Sequence, residues 1–165
     1  MIITEEFSAD KWVRFGNAVI DSIVMWIIGV VYIASAGYIY DNFYSADWIL
    51  DIAGSEGNFW SNLLWGYIHS SIFYFILEAT TQRTIGKFLT GTMVVMEDGS
   101  KPSAWVIFKR TLCRLIPFEP FSFFRDDSRG WHDTISDTFV VNAKKYKSAL
   151  ELQNSFDEIG VIQEL

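Results

Sequence analysis

From Phe15 to Gln82 the chain contains neither lysine nor arginine, although it holds 13 of them elsewhere. Two apolar runs lie inside this window. Ser22 to Tyr40 carries no charged residue, and Phe59 to Leu77 is interrupted by titratable groups only at His69 and two tyrosines. At 1.5 Å per helical residue each run reaches about 28 Å, close to the roughly 30 Å of a bilayer's hydrocarbon core. Half of all residues are hydrophobic and 17% are aromatic, too apolar a balance for an ordinary soluble domain. These features predict an all-α integral membrane protein with transmembrane helices over about 14–40 and 59–82.

The segment between the runs, 41–58, holds Asp41, Asp47, Asp51 and Glu56 and no basic residue. The outer flanks carry Lys11 and Arg14 on one side, Arg83 and Lys87 on the other. By the positive-inside tendency, both termini face the cytoplasm and 41–58 is an external loop. Tyr38, Tyr40, Tyr44, Trp48 and Trp60 gather at that outer boundary, as an aromatic belt would. The opening "MIITEEFSADKW" lacks the basic start and small-residue cleavage site of a signal peptide, so the membrane segments are expected to be retained. A net charge of −7 argues against nucleic acid as a partner. The single cysteine, Cys113, excludes an internal disulfide and reads as a packing residue.

Residues 83–143 form neither a third clear span nor an ordinary soluble module. "TGTMVVMEDGSKPS" reads as a strand ending in an Asp-Gly turn and "SDTFVVNA" as a second strand, giving a small cytoplasmic β-hairpin or two-stranded sheet. Between them, Trp105, Phe108, Leu112 and Ile116 recur at helical spacing, with Lys109, Arg110 and Arg114 near the other face. That pattern suits an amphipathic helix lying in the headgroup plane. "PFEPFSFFRDD" reads as a Pro-kinked interfacial segment, and 144–165 as a cytoplasmic tail, mobile or weakly helical.

A charge within the first apolar run needs a reason. Arg14, Asn17 and Asp21 are three and four residues apart, so on a helix they form one polar stripe. Since the uncharged run starts at Ser22, Asp21 sits about one turn inside the cytoplasmic boundary. Its partner is either a fixed cation, such as Arg14 or a base from 83–143, or an exchangeable ion or proton. Glu78 lies at similar depth on the second helix. It either shares an ion or proton site with Asp21 or pairs with Arg83 or Lys87. His69 reads as a packing residue, and Gly66 with Ser70 suit close helix packing. "GWHDTISDT" places His132, Asp133 and Asp137 near Asp126 and Asp127, without a diagnostic metal spacing; Asp133 reads better as the cap of a short helix. No nucleophile-base set or phosphate loop is present, so neither an enzyme nor a bound cofactor or metal is expected.

Four stretches, "RFGNAVID", "EATTQRTIGKFLTGTMVV", "FKRTLCRLIPF" and "GWHDTISDTFVV", together resemble the RDD family of small bacterial membrane proteins, over about 12–142. The resemblance places the family's arginine at Arg14 and its two aspartates at Asp21 and Asp133. Asn17, Glu78, Thr84, Gly86, Lys87, Gly91, Arg110, Arg114, His132 and Thr138 also match. "LIPFEPFSFF" departs from the pattern, being short, with two prolines and a glutamate, which speaks against a third span. The resemblance implies an RDD membrane domain over 1–143 in a bacterial cytoplasmic membrane, and transport of ions or small ligands, such as cation/proton exchange through Asp21 and Glu78. Two helices cannot enclose a polar path, so a transporter would be a homo-oligomer. The alternative is a non-transporting adaptor or accessory subunit bound to a partner membrane protein, in which Arg14, Asp21 and Asp133 lock the cytoplasmic module onto the helix ends.

Overall fold

The computed structural model of the chain describes residues 7–43, 59–116, 122 and 129–163. Most of the 41–58 loop, with Tyr44 and Trp48 of the expected aromatic belt, lies outside these residues. So do most of the Pro-kinked segment, Asp126 and Asp127.

Helix α1 (Lys11–Phe43) is 33 residues long, and α2 (Phe59–Thr81) is 23. Among the described residues α1 is the one helix long and apolar enough to cross a membrane by length and composition. In α2, Ser61, Asn62, His69, Ser70 and Ser71 dilute the apolar character. Both helices turn large apolar side chains outward: Trp26 is 70% exposed, Val31 62% and Leu64 60%. Apolar surface this extensive calls for lipid or a partner to cover it.

The short helix α3 (Ile85–Thr90) follows, capped by Thr84, whose hydroxyl accepts from Lys87 N, and closed by Gly91 at a left-handed φ of 70°. Strand β1 (Thr92–Met96) pairs antiparallel with β2 (Thr138–Asn142), from Thr92 opposite Asn142 to Met96 opposite Thr138. They are not a hairpin. The Asp-Gly turn forms, with Gly99 at φ 86° and Met96 N donating to Ser100 O, but β1's partner comes some forty residues later in the chain. Helices α4 (Ala104–Cys113) and α5 (Trp131–Ile135) intervene, and α6 (Ala143–Gln163) completes the chain.

The sheet is buried on both faces, which explains its unbroken apolar strands. Met93, Val95, Phe139 and Val141 pack with Ala143, Tyr146 and Phe7; Val94 and Val140 pack with Ala9, Ile107, Phe75 and Ala79. The end of α2 is stitched to β1, since Gln82 O accepts from Val94 N at 2.9 Å and Gln82 Nε2 donates to Val94 O at 3.0 Å. Ala9 N donates to Val140 O at 2.8 Å, tying the start of α1 to the other strand. The tail, expected to be mobile or weakly helical, is a continuous helix as far as Gln163. Asn142 Oδ1 accepts from Lys144 N and Lys145 N, and Tyr146 anchors the first turn by donating to Gly99 O.

The amphipathicity of α4 runs outward. Trp105, Phe108, Leu112 and Ile116 are exposed, whereas Arg110 is fully buried. Gly66 does not support close packing within the chain, because a Cβ there would meet nothing within 4 Å. His69 Nδ1–H donates to Trp65 O (2.7 Å), and its ring lies 5.8 Å from that of Tyr32, a packing role between α1 and α2.

Candidate functional site: a buried charge network at the helix ends

The polar stripe of α1 faces the 83–143 module, and each of its members finds a different partner. Asp21, 1% exposed, accepts from the backbone N–H of Gly86 at 2.7 Å. The described partner of this carboxylate is thus the backbone of α3 rather than a side-chain cation. Asn17 accepts from Thr90 Oγ1 and donates to Thr92 Oγ1 at 3.0 Å, satisfying both ends of its amide. Arg14 pairs with Asp133 of α5.

Gly86 makes this contact possible, because a Cβ built on it would stand 2.4 Å from Asn17 O. Gly86→Ala is therefore expected to push α3 off α1, stretch the Asp21 bond and cost about 1–3 kcal/mol in detergent unfolding. Gly16→Ala is the matched control, since nothing lies within 4 Å of its Cβ position, and it should be neutral or stabilising.

Two carboxylates anchor the rest. Glu78, near the C-terminal end of α2, accepts from Lys87 Nζ at 2.8 Å, Arg110 Nε at 3.1 Å and Arg114 at 2.7 Å. Asp133 accepts from both Arg14 and Arg110. Arg110 is the bridge: its Nε reaches Glu78, and its Nη1 reaches Asp133 and Thr138 Oγ1 of β2. Arg114 also lies over the Tyr74 ring, 4.1 Å from its centroid. Asp133 does help to cap its helix, though not as the first residue: Gly130 is the N-cap, and the Asp133 side chain reaches back to Gly130 N.

The expected interface pair of Glu78 with Lys87 is present. Arg83, the other expected partner, instead points to Met93 Sδ at 3.9 Å and lies over the Phe88 ring. The contacts described for Asp21 and Glu78 are to different groups. Among the described residues, no three His, Cys, Asp or Glu side chains form a metal-holding group. Lys87, expected as a partner of Glu78, and Arg110, Arg114 and His132, matched through the resemblance, are all at the site. Thr138, also matched through the resemblance, joins them, and Thr90 and Thr92 complete the site; the clue to these two was their place beside the matched Gly91.

Burial pushes the Lys87 ammonium down to about 8, with Glu78 pulling the other way. His132, whose Nε2 is 3.5 Å from Asp133 Oδ1, is held well below the ordinary histidine value of 6.5 by burial and then by Arg110, Arg114, Arg14 and Lys87. It stays neutral when folded. As pH falls below 6.5 the unfolded chain takes up a proton that the folded chain refuses. Stability should then drop by up to about 1.4 kcal/mol per pH unit. Melting temperatures measured from pH 7 to pH 5 should show this slope, and His132→Asn should flatten it.

Between α1 and α2, above this network, lies a cavity of about 390 Å³. Arg14, Lys87, Arg110, Arg114 and His132 line it along with Asp21, while Tyr67, Ser70, Ser71 and Tyr74 of α2 supply hydroxyls.

A long apolar helix, outward-facing along most of its length and tied by buried ion pairs to a small sheet module, fits a membrane-associated protein. The family model for the RDD family matches residues 8–137, and the chain belongs to that family. Its arginine and two aspartates are the groups that join α1 to α3 and α5. Neither a curated protein nor a solved structure gives a match.

Proposed function

We propose that the chain is a non-transporting unit of the bacterial cytoplasmic membrane, an adaptor or accessory subunit with α1 and α2 both spanning and both termini in the cytoplasm. The carrying observation is the saturation of Glu78 by three cations and of Asp133 by two guanidinium groups, drawn from α1, α3 and α4. A carboxylate that exchanges protons for cations has to release one partner to take another, and a network shared this way holds its acids in place. Such a network suits a fixed scaffold that offers the outward faces of α1 and α2 to a partner membrane protein or a second copy. The absence of basic residues from Phe15 to Gln82 supports the topology.

A second reading, ion transport by a homo-oligomer, is favoured by one observation: Asp21 lines the cavity and its described contact is a single backbone N–H. Proteoliposomes holding the full chain, under sodium and proton gradients, separate the two. The scaffold reading expects flux equal to that of protein-free vesicles. A protein-dependent flux that Asp21→Asn abolishes would overturn it in favour of transport.

A further inference from the structure

We propose that α6 is a self-association element, whose apolar stripe docks antiparallel against the α6 of a second copy of this chain. Three observations carry this, and none of them uses the scaffold reading.

The first is that most of α6 has nothing to pack on. Ala143 and Tyr146 are buried against the sheet, and Tyr146 donates to Gly99 O. From Lys147 to Phe156 no side chain is buried, yet the helix runs on to Gln163. Helices without tertiary packing are marginal in water, and Ser148, Asn154, Ser155 and Gly160 are weak helix formers. A segment of this kind gains its stability from a surface that covers it.

The second is the stripe itself. Ala149, Leu152 and Phe156 are three and four residues apart, so they share one face of the helix. Leu152 is 58% exposed and Phe156 63%. Their spacing is that of the seam between two paired helices.

The third is charge, and it selects the occupant. Lys144, Lys145 and Lys147 open the helix, whose first turn has no acid; Glu151, Asp157 and Glu158 follow, and its last turn has no base. This order opposes the helix dipole, which favours acids at the start and bases at the end. Lys144 and Lys145 also have no acid three or four residues further on. An antiparallel copy reverses these disadvantages: it sets the lysine end of each helix beside the acidic end of the other, with the two dipoles opposed. A parallel copy would set like charge against like, and an anionic membrane surface would attract only the lysine end. A two-fold axis lets the same patch serve on both chains, so one sequence supplies both halves of the contact.

The test follows the mass of the full chain in a neutral detergent by light scattering over a concentration series. The wild type should pass from one chain to two, and added salt should weaken the association, because the attraction is between exposed charges. Leu152→Ser with Phe156→Ser alters only exposed side chains; it should keep the wild-type melting transition and associate roughly tenfold or more weakly. Lys144→Glu, Lys145→Glu and Lys147→Glu together suit a lone helix better than the natural lysines do, yet should weaken association by a similar factor. Adding Glu151→Lys, Asp157→Lys and Glu158→Lys to that chain reverses the whole charge order and should restore it. A wild type that stays monomeric, an association unchanged by the two serines, or a full reversal that fails to restore pairing would each overturn the proposal. A monomeric wild type that binds phosphatidylglycerol vesicles through Leu152 and Phe156 would overturn it in favour of the membrane surface. Because ion flux is not among these readouts, failure here is distinct from failure of the scaffold reading.

Discussion

Arg110→Met should cost the folded protein about 3–5 kcal/mol, the largest single loss expected here, because it removes the group that bridges two buried carboxylates. Methionine approximates the aliphatic length of arginine, so the loss reports on charge and hydrogen bonding more than on volume. Arg110 is fully buried and joins Glu78 of α2, Asp133 of α5 and Thr138 of β2. Without it, Asp133 keeps Arg14, and Glu78 keeps Lys87 and Arg114, but α4 no longer couples them. Arg110→Lys keeps the charge and loses the planar fork, so one ammonium cannot reach all three acceptors. It should recover less than half of the loss. Chemical unfolding in detergent, with both variants beside the wild type, gives the comparison.

Glu78→Gln should cost a similar amount, about 3–5 kcal/mol, by leaving three cations short of their carboxylate. It carries a signature that simple loss of packing would not. Glu78 is what holds the Lys87 pKa up against burial, at about 8. In the variant that value drops further, while the unfolded chain keeps the ordinary lysine value of 10.5. Between the two values the unfolded state holds more protons, so raising the pH favours the folded state. The deficit relative to wild type should therefore narrow as the pH rises towards about 8 and stay constant above it. A deficit independent of pH would mean that Lys87 does not depend on Glu78.

Much of this architecture was legible in the sequence because it follows from periodicity. The three- and four-residue spacing of Arg14, Asn17 and Asp21 put them on one face, and the short β-branched apolar runs "TMVVM" and "TFVVN", bounded by turn residues, gave both strands. That Asp21 shares the face of Arg14 and turns toward the 83–143 module followed from the same spacing. Its partner did not, because a backbone N–H leaves no mark of residue type; only Gly86, as the residue that permits contact with Asn17, hints at it. Arg110 looked like an ordinary cation on a headgroup-plane helix. The sharing of two carboxylates across 32 and 23 residues of chain is set by tertiary packing, which no local pattern encodes. Likewise Gly66 and Ser70 had the spacing of a packing motif, yet α1 and α2 stand apart around a cavity at that level.

The central claim is that Arg14 and Asp133 act as one lock between α1 and the 83–143 module. A charge reversal of Arg14 and Asp133 is a poor probe, since it would set a guanidinium against Arg110, the other partner of Asp133. A double-mutant cycle with Arg14→Met and Asp133→Asn, read by equilibrium unfolding in detergent, is the direct one. The lock predicts that the double variant loses less than the two single variants together, by about 1–3 kcal/mol. Losses that add to within about 0.5 kcal/mol would show the two residues acting independently and contradict the account.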